Sequence, residues 1–589
     1  MNNWQIAQLL RNVAASYGIK DEKKHYFQII AYQKAADTIE ESPTEVKDLV
    51  KEGKIEELQG VGPSIRKHLE ELMKKGNVQY FSTVMATIPQ AVFPLLNIPS
   101  FGPKKAYKLV THFKLNNPVT VIADLKKIAD RGKIAELEGF GKKSEELVLQ
   151  AIKEYEEGVK KNVRMVLPYA YGIAEKMLSY LKKSPHVREA HPLGSLRRMR
   201  DTIGDVDIAV ASSAPSEVLD HFVAYPHKER VLEKGPTTAS LLISGGKHID
   251  LMVQPPERFG ALLQHFTGSK EHNIALREYA LKKGLSLSER GIKKVGKAEI
   301  QSFDSEEKFY KALGLSWVPP EIREDTGEIE LAIKNKLPDL IEPKDIKGDF
   351  HLHSSFPIEP SHDMGRSSMQ EMIDKAKKLK YNYISFSEHN PSVSQHSKQQ
   401  IYEIMTKRSK EIDRIRKNNK NIHIYSFLEI DILANGKLAL DEKSFSMLDG
   451  CLVSIHSSFS MNKTDMTKRV LEGLSHPKAK VLSHPTGRLL NQRTGYDLEW
   501  DTIFDFCAKN NKALEINSWP ERLDLPDRLV REAIKYGVKF FIDTDSHEVS
   551  QMDLMKFGVA VARRGWATKD DIINSFEYNK LDKWIKSQK

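Results

Sequence analysis

The sequence predicts a multidomain protein with an all-α amino-terminal part, an α+β middle part and an α/β barrel-like carboxy-terminal part. Its 589 residues exceed the size of one ordinary domain and favour several separately packed cores. Apolar residues follow a helical spacing from Asn3 to about Lys75, whereas strand-like segments begin near Val187. From about residue 346, short β segments alternate with helices over roughly 240 residues, which is typical of an α/β barrel.

Composition and charge restrict the class of protein. Hydrophobic residues make up 40% of the chain and charged residues 29%, as in a globular protein, and the sequence contains neither a long apolar run nor a secretory signal. We therefore expect a cytoplasmic protein that does not bind membranes. Cys451 and Cys507 are the only cysteines, which excludes a disulfide framework and a thiolate-rich zinc site. The net charge of +10 favours a polyanionic partner such as nucleic acid.

Three short segments before residue 150 share one pattern, an apolar residue, a Gly-rich turn and a helix: LQGVGPSIRKHL, IPSFGPKKAYKL and LEGFGKKSEELVL. Backbone N–H groups at a helix N-terminus attract phosphate, and glycine lets the phosphate approach closely. The segments resemble helix-hairpin-helix motifs, which bind the DNA backbone without reading its sequence. The turn residues are Gly60, Val61, Gly62, Ser100, Gly102, Gly139 and Gly141, and Ser100 stands where the family has glycine.

Two acidic residues occupy the predicted strand in GDVDIAV. Asp205 and Asp207 are two positions apart, so their side chains point to the same face, and Asp250 lies in a second apolar strand, KHIDLMV. Neighbouring carboxylates repel one another, which indicates that a cation lies between them. Three aspartates on adjacent strands suit the Mg²⁺ or Mn²⁺ pair of a phosphoryl-transfer site.

With the turn Gly194-Ser195 before them, these acidic strands resemble the nucleotidyltransferase superfamily and its palm domain. The segment HFTGSKEHNIALR, residues 265–277, narrows the resemblance to family X DNA polymerases, the relatives of DNA polymerase beta. The resemblance covers about residues 1 to 315 and implies dNTPs and gapped or nicked double-stranded DNA as substrates. It assigns Asp205, Asp207 and Asp250 to the catalytic metals, Gly194, Ser195 and Arg198 to the triphosphate, Phe266 and Gly268 to the sugar, Asn273 to the incoming nucleotide and Arg277 to the template.

The sequence departs from the family pattern at three places. His265 replaces the usual tyrosine beside Phe266, which affects sugar discrimination, and Met199 replaces the glycine after the paired arginines. The amino-terminal domain of some relatives also carries a lyase that uses a lysine as Schiff-base nucleophile. His68 stands at the matching position, and we therefore expect weak or absent deoxyribose-phosphate lyase activity.

Histidines and carboxylates collect at the predicted strand ends of the carboxy-terminal part. His351 and His353 lie two apart on one strand and can bind the same metal. Without thiolates, such a ligand set suits Mn²⁺ or Zn²⁺, which activate water near neutral pH. The further candidates lie in SEHN, FLEIDIL, SIHSS, SHPTGR and DTDSH and are His389, Glu429, His456, His484, Asp545 and His547.

This arrangement resembles the PHP (polymerase and histidinol phosphatase) domain, here from about residue 346 to 575. The resemblance implies a cluster of up to three Mn²⁺ or Zn²⁺ ions that hydrolyses phosphoesters. The loop after HLHS is longer than in the family, so the remaining ligand is assigned to Asp363, with His362 and Glu359 as alternatives. Arg488 and Arg522 are candidates for binding substrate phosphate.

The order of the domains resembles bacterial and archaeal family X polymerases. It implies a monomeric repair polymerase whose PHP domain removes nucleotides from 3′ ends, with incision at abasic sites as an additional option. Two alternatives stay open: a nucleotidyltransferase for another acceptor whose PHP domain is a small-molecule phosphatase, and a polymerase whose PHP domain is only structural. The predicted domains are 1–80 (helical, DNA-binding), 81–155 (hairpin, fingers-like), 156–260 (nucleotidyltransferase palm), 261–315 (nucleotide-selecting, thumb-like), 316–345 (linker) and 346–589 (PHP).

Overall fold

The computed structural model describes residues 1, 3–40, 46–51, 53, 55–58, 61–98, 101–156, 164–243, 247–491 and 493–587. The chain divides into two compact units, residues 1–163 and residues 164–589. Among the described helices, none is both long and apolar enough to cross a membrane.

The described residues of the first unit are helical, as predicted. They pack around two apolar cores, one that contains Leu10, Leu69 and Phe81 and one that contains Phe101 and Leu125. The helices are α1 (Asn3–Asp21), α2 (Tyr26–Glu40), α3 (Val46–Lys51), α4 (Pro63–Lys75), α5 (Gln79–Met85), α6 (Val92–Leu95), α7 (Pro103–His112), α8 (Val121–Asp130) and α9 (Lys142–Glu156), with a 3-10 turn at Ile55–Glu57.

The second unit begins with a mixed sheet whose described strands run in the order β2-β4-β7-β6-β5. β4 and β7 are parallel, whereas the other neighbours are antiparallel. Val206, Ile208 and Val210 of β4 are fully buried, as the alternation in the sequence predicts. The elements are β1 (Met165–Val166), α10 (Leu167–Leu181), β2 (Glu189–Pro192), α11 (Gly194–Arg197), β3 (Thr202–Ile203), β4 (Val206–Ala211), α12 (Pro215–Val223), β5 (Lys228–Lys234), β6 (Thr238–Ile243) and β7 (Lys247–Gln254).

The next segment packs a small antiparallel sheet against helices. The predicted linker 316–345 is folded and belongs to this part: Val318, Ile322 and Ile329 share one apolar core with Phe309 of α15 and Trp566 near the carboxy terminus. Because a Pro pair and mixed charges are typical of a connecting segment, the sequence did not indicate that these apolar residues are buried. The elements are α13 (Phe259–Thr267), α14 (Lys270–Lys282), β8 (Leu285–Ser288), β9 (Gly291–Lys294), β10 (Ile300–Gln301), α15 (Glu306–Ala312) and α16 (Glu328–Ile333), with 3-10 turns at Pro256–Arg258, Pro320–Ile322 and Pro343–Asp345.

The carboxy-terminal part is a distorted parallel barrel, as predicted. Its strands pair in the orders β11-β12-β13 and β14-β15-β16-β17-β18. The chain passes from one sheet to the other between β13 and β14, and the ring closes where Ser546 N–H donates to His351 O (3.1 Å) and His353 N–H donates to Ser546 O (2.8 Å). Strands buried on both faces have continuous apolar runs, such as the FFI within β18.

Inside this barrel, aromatic and aliphatic side chains from successive strands form one core. Phe350, Phe427 and Phe541 lie at its centre, and Leu581 and Ile585 of the last helix pack against it. The elements are β11 (Gly348–Asp349), α17 (Met369–Lys378), β12 (Tyr383–Phe386), α18 (Lys398–Asn418), β13 (His423–Ser426), β14 (Glu429–Asp431), α19 (Glu442–Phe445), β15 (Cys451–Ser454), α20 (Lys463–Ser475), β16 (Ala479–Leu482), α21 (Trp500–Lys509), β17 (Ala513–Asn517), α22 (Asp527–Lys535), β18 (Lys539–Asp543), α23 (Met555–Arg564) and α24 (Tyr578–Lys586), with 3-10 turns at Val549–Leu554 and Ile573–Ser575.

A buried ion-pair network joins the sheet to the helices beyond it. Glu306 accepts from Arg323 (2.5 Å) and from Arg197 (2.7 Å), and Arg323 is fully buried. Although burial raises the pKa of Glu306, the two guanidinium groups lower it to about 2. The carboxylate therefore stays ionised and neutralises both arginines.

We predict that Glu306→Ala destabilises the second unit by about 3–5 kcal/mol, because Arg323 is left as an unpaired buried charge. Urea unfolding followed by tryptophan fluorescence measures the loss, since Trp317 lies 3.4 Å from Glu306. Asp304→Ala, which removes only an exposed pair with Lys308, is the matched control and should leave the midpoint unchanged. Equal midpoints for the two variants would contradict the prediction.

Candidate active sites and nucleic-acid interface

Three aspartates meet on neighbouring interior strands of the mixed sheet. The parallel register of β4 and β7 pairs Asp207 directly with Asp250, and Asp205 lies two positions before Asp207 on the same face. Burial, and then the charges of Asp250 and Asp205, raise the pKa of Asp207 to about 7. A divalent cation between the carboxylates would offset this repulsion, which is the chemistry that the sequence predicted.

The Gly194 turn lies directly against these carboxylates. Gly194 has φ of 56°, and a Cβ atom there would stand 3.1 Å from Asp207 Oδ2 and 4.0 Å from Phe266 O, so only glycine fits easily. Ser195 is half-buried in the same turn. Met199, which replaces a family glycine, has φ of 54°, a conformation that glycine adopts with less strain. The triphosphate candidates thus lie next to the proposed metal ligands.

The segment predicted to contact the nucleotide folds back on itself at Gly268. The side-chain amide of Asn273 donates to His265 O (2.9 Å) and Gly268 O (3.2 Å), and a Cβ atom on Gly268 would stand 2.8 Å from Asn273 Oδ1. Phe266 is half-buried, with His265 packed edge-to-face against its ring, and Arg277 is exposed. The structure therefore brings Phe266, Gly268 and Asn273 together, with Arg277 one helical turn beyond Asn273.

The paired arginines have different surroundings. Arg197 is engaged by Glu306 and by the hydroxyl of Thr267, whereas Arg198 donates to Thr267 O (2.7 Å) and pairs with Glu324 (2.9 Å). Only two of the five N–H groups of Arg198 are used by these contacts, so donors remain for an anion.

In the barrel, two histidines and two carboxylates converge. His351 Nε2 lies 3.2 Å from Glu429 Oε2 and 3.5 Å from Asp545 Oδ1, and His353 Nε2 lies 3.6 Å and 3.3 Å from the same atoms. Ligand atoms about 3.4 Å apart are what an ion with bonds of about 2.1 Å imposes. Although burial raises the pKa of Glu429, His389 and His351 hold it well below its usual range, so the carboxylate is ionised.

Glu429 also contacts the remaining histidines. Its carboxylate lies 3.0 Å from His389 Nδ1, 3.3 Å from His456 Nε2 and 2.7 Å from His484 Nε2. Groups of ligand atoms within 4.8 Å of one another, searched over the described residues, are His351-His353-Asp545, His389-Glu429-His456, His353-His389-His547 and His362-Asp431-His456.

Unpartnered ring nitrogens support metal binding here. Nε2 of His351, both ring nitrogens of His353, Nδ1 of His389 and Nε2 of His547 are buried and make no hydrogen bond of normal geometry among the described residues, although carboxylate oxygens lie near them. Buried polar atoms are rarely left so, and a metal ion would use these lone pairs. The donor set fits Mn²⁺ or Zn²⁺.

The long loop after HLHS brings Asp363 to the cluster. Its carboxylate oxygens lie 3.1 Å from His389 Nε2 and 3.1 Å from His547 Nε2. His362 also lies at the cluster, 3.2 Å from Asp431 and with its ring 4.3 Å from that of His456, whereas Glu359 pairs with His396 (2.6 Å). The geometry favours Asp363 over Glu359 as a ligand.

Two carboxylates around the cluster, Glu515 and Asp431, were not predicted. Glu515 accepts from His351 Nδ1 (2.6 Å) and from His484 N–H (2.6 Å), and Asp431 lies 2.7 Å from His456 Nδ1. Such partners orient ligand imidazoles. Both lie in strands like those of the ligands, at ALEIN and LEIDIL, and this position was the available signal. Glu388 points away from the cluster and pairs with the buried Arg408 (2.5 Å).

The two candidate phosphate-binding arginines differ. Arg488 is used structurally, because it donates to Arg522 O (2.9 Å) and Leu523 O and pairs with Asp201 (3.1 Å) of the mixed-sheet part. Its assignment to substrate phosphate stays a prediction, which must use the donors that these contacts leave available. Arg522 is half-buried, and its Nε lies 3.7 Å from Asp545 Oδ2 at the cluster.

The hairpin turns are open toward solvent where the structure describes them. Gly62 and Gly102 precede α4 and α7 in extended conformation, each followed by proline at the first helical position. Among the described residues, no atom outside the adjacent ones lies within 4 Å of a Cβ built on Gly62, Gly102 or Gly141. The remaining turn residues are Val61, whose side chain is buried, Gly139, with φ of 80°, and Gly60 and Ser100, which lie outside the described residues.

His68 lies in an aromatic cluster of the first unit. Its ring stacks on Tyr80 with centroids 4.7 Å apart, and Nδ1 lies 3.2 Å from the Tyr32 hydroxyl. Burial lowers the pKa of His68, which favours the neutral imidazole. An imidazole in this place forms no stable imine, so weak lyase activity stays our expectation.

The fold and the two sites define a protein with a nucleotidyl-transfer palm and a metal-binding hydrolase barrel. Family models match for a helix-hairpin-helix domain (residues 1–78), the DNA polymerase beta thumb (262–324) and the PHP domain (349–519). The DNA polymerase/3′-5′ exonuclease PolX of Bacillus subtilis (strain 168) is 32% identical over 591 residues, which cover 100% of both chains. DNA polymerase lambda of Rattus norvegicus is 27% identical over 161 residues, 22% of this chain and 28% of that protein. The chain belongs to the bacterial family X DNA polymerases that carry a PHP domain.

We predict that Asp207→Asn raises the midpoint of thermal unfolding at pH 8 in EDTA. The folded-state pKa of Asp207, about 7, lies above its usual value of 3.8, so the stability of the wild type falls as the pH rises toward 7. The gain should therefore shrink as the pH falls from about 7 and vanish below about pH 3, where the carboxyl is protonated in both states. In excess Mg²⁺ the wild type should instead have the higher midpoint. A variant whose midpoint in EDTA at pH 8 equals or falls below that of the wild type would contradict the prediction.

Proposed function

We propose that this chain fills short gaps in duplex DNA by template-directed synthesis and that its PHP domain removes nucleotides from 3′ ends. The observation that carries the polymerase half is the β4–β7 register, which sets Asp207 beside Asp250 under the Gly194 turn. The full-length relative from Bacillus subtilis is named both polymerase and 3′-5′ exonuclease, which supports the two halves together.

In the polymerase site, the three aspartates would hold two Mg²⁺ or Mn²⁺ ions, which supply charge stabilisation for phosphoryl transfer. Arg198 and the Ser195 turn bind the triphosphate of a dNTP through charge-assisted hydrogen bonds. Phe266 and Gly268 place the sugar. The primer 3′-hydroxyl attacks the α-phosphorus, the bond to the bridging oxygen of the β-phosphate breaks, and pyrophosphate leaves.

Asn273 and Arg277 extend the polymerase site toward the template. Both lie on α14, where the turn at Gly268 fixes the Asn273 side chain, whereas the Arg277 side chain is exposed and would face the template strand. The hairpin turns at Gly62, Gly102 and Gly141 would hold the DNA backbone by their N–H groups. Together with the net charge of +10, this contact makes affinity for gapped DNA fall as salt concentration rises.

In the barrel, the histidine and carboxylate cluster would hold up to three Mn²⁺ or Zn²⁺ ions, which supply Lewis acidity toward water and phosphate. Glu515 and Asp431 fix the orientation of His351 and His456. Arg522 donates to the scissile phosphate at the edge of the cluster. The unpartnered nitrogens favour this hydrolytic reading over a purely structural PHP domain.

Removing the polymerase carboxylates should abolish extension and spare trimming. We expect Asp205→Ala with Asp207→Ala to lower the rate of single-nucleotide gap filling by about two orders of magnitude or more. The assay uses a one-nucleotide gapped duplex with Mn²⁺ and the complementary dNTP. Asp220→Ala, which removes an exposed carboxylate of the same part, is the control. Template-dependent extension by the double variant would refute the assignment.

Removing His351 and His353 should abolish trimming and spare extension. His351→Ala with His353→Ala should lower bound Mn²⁺ or Zn²⁺, measured by elemental analysis, and abolish 3′ trimming without dNTPs, while gap filling continues. His423→Ala, an exposed histidine at the start of β13, is the matched control. Trimming that survives the double substitution, or that is absent from the wild type, would exclude the barrel as the exonuclease site.

A further inference from the structure

Arg564 joins the PHP barrel to the polymerase part of the second unit. It ends helix α23, and its side chain is only 4% exposed. Nη1 donates to the carbonyl oxygens of Arg198 (2.9 Å) and Glu321 (3.2 Å) and pairs with Glu324 (2.9 Å). Nη2 pairs with Asp527 of α22 (2.6 Å). One guanidinium of the PHP domain thus holds both the backbone of Arg198 and its acidic partner.

Glu324 connects Arg564 to the Arg198 side chain. Its Oε1 atom accepts from Nε of Arg198 (2.9 Å) and from Nη1 of Arg564 (2.9 Å). Burial raises the pKa of Glu324, but Arg564 and Arg198 lower it to about 2, so the carboxylate is charged. Arg198 is held at its other end by Thr267 O (2.7 Å), beside the turn where the sugar is expected. The arginine is therefore fixed before a ligand arrives.

We infer that Arg564 is a positioning residue of the polymerase: the PHP domain fixes, through Glu324 and the Arg198 carbonyl, the arginine that binds the incoming triphosphate. This inference rests on the proposed polymerase function. It gives the PHP domain a part in nucleotide binding that is separate from its metal cluster.

Removal of Arg564 weakens nucleotide binding in two ways. The Arg198 carbonyl oxygen loses a hydrogen-bond donor, so the backbone from which the guanidinium extends must be fixed when the dNTP binds. Glu324 also loses a competing cation, and its charge then holds Arg198 more strongly against the triphosphate. Both effects raise the KM for dNTP, whereas the reacting atoms at the aspartates are untouched and kcat changes little.

Lys556 provides a matched control on the same helix. Its ammonium group lies over the Tyr171 ring (4.3 Å) and 3.7 Å from Glu175, both on α10. The contact joins the same two parts of the chain, but it lies two helical turns from Arg564 and does not involve Arg198 or Glu324. Lys556→Ala therefore loosens the docking of the domains without altering the arginine network.

The test is steady-state insertion of one nucleotide into a gapped duplex by the full-length chain, with KM for dNTP and kcat measured separately. We expect Arg564→Ala to raise KM about 3- to 10-fold with kcat within about twofold of wild type. Arg564→Lys keeps the positive charge but cannot form all the hydrogen bonds of the guanidinium, so its KM should lie between those of the wild type and Arg564→Ala. Lys556→Ala should leave KM within about twofold.

Three outcomes overturn this inference and leave the proposed function intact. They are an unchanged KM for Arg564→Ala, an equal rise in KM for Lys556→Ala, and a fall in the kcat of Arg564→Ala that matches the rise in its KM. If Arg564→Ala does not fold, Arg564→Lys decides, and a KM equal to that of the wild type overturns the inference. If the wild type does not extend a primer, the proposed function fails, and the inference fails with it.

Discussion

Parallel strand pairing is the constraint on which both candidate sites depend. In the mixed sheet, the parallel pair β4 and β7 sets Asp207 beside Asp250, although the two residues are far apart in the sequence. In the barrel, the proposed ligands from His351 to His547, except Asp363 on its loop, follow the carboxyl ends of parallel strands, which all lie at one end of the ring. Each strand contributes one or two polar groups, and the ring brings them together.

Placing several charged groups close together costs electrostatic and desolvation free energy. The neighbours of Asp207 and Glu429 show how each site offsets this cost. Asp207 meets two other carboxylates and is held partly protonated near neutral pH unless a cation binds. Glu429 instead meets imidazoles and stays ionised. The polymerase site is thus an anionic cluster that needs cations for its charge balance, whereas the barrel site is a mixed cluster whose neutral donors need them for coordination.

Much of this arrangement could be predicted from local pattern. A spacing of two residues sufficed for Asp205 and Asp207 and for His351 and His353, because alternation along a strand is a local rule. The ion pair of Arg488 and the burial of residues 316–345 could not be predicted in this way. Arg488 meets Asp201, and Val318 shares a core with Trp566, and such contacts between distant segments leave no periodic trace in the sequence. For the same reason, Glu515 was overlooked, since its role is visible only when His351 lies beside it.

Asp363, the proposed ligand for which the sequence left alternatives open, is also the most exposed of the proposed ligands. The Asp363 side chain is 71% exposed, whereas His389 and His547, which it contacts, are 5% and 17% exposed. A ligand on a long exposed loop loses more conformational entropy on binding than one that follows a buried strand. We therefore expect the ion beside Asp363, His389 and His547 to be the most readily exchanged of the cluster. The loop can differ in length because it contributes a ligand at the rim, where the strands no longer fix its backbone.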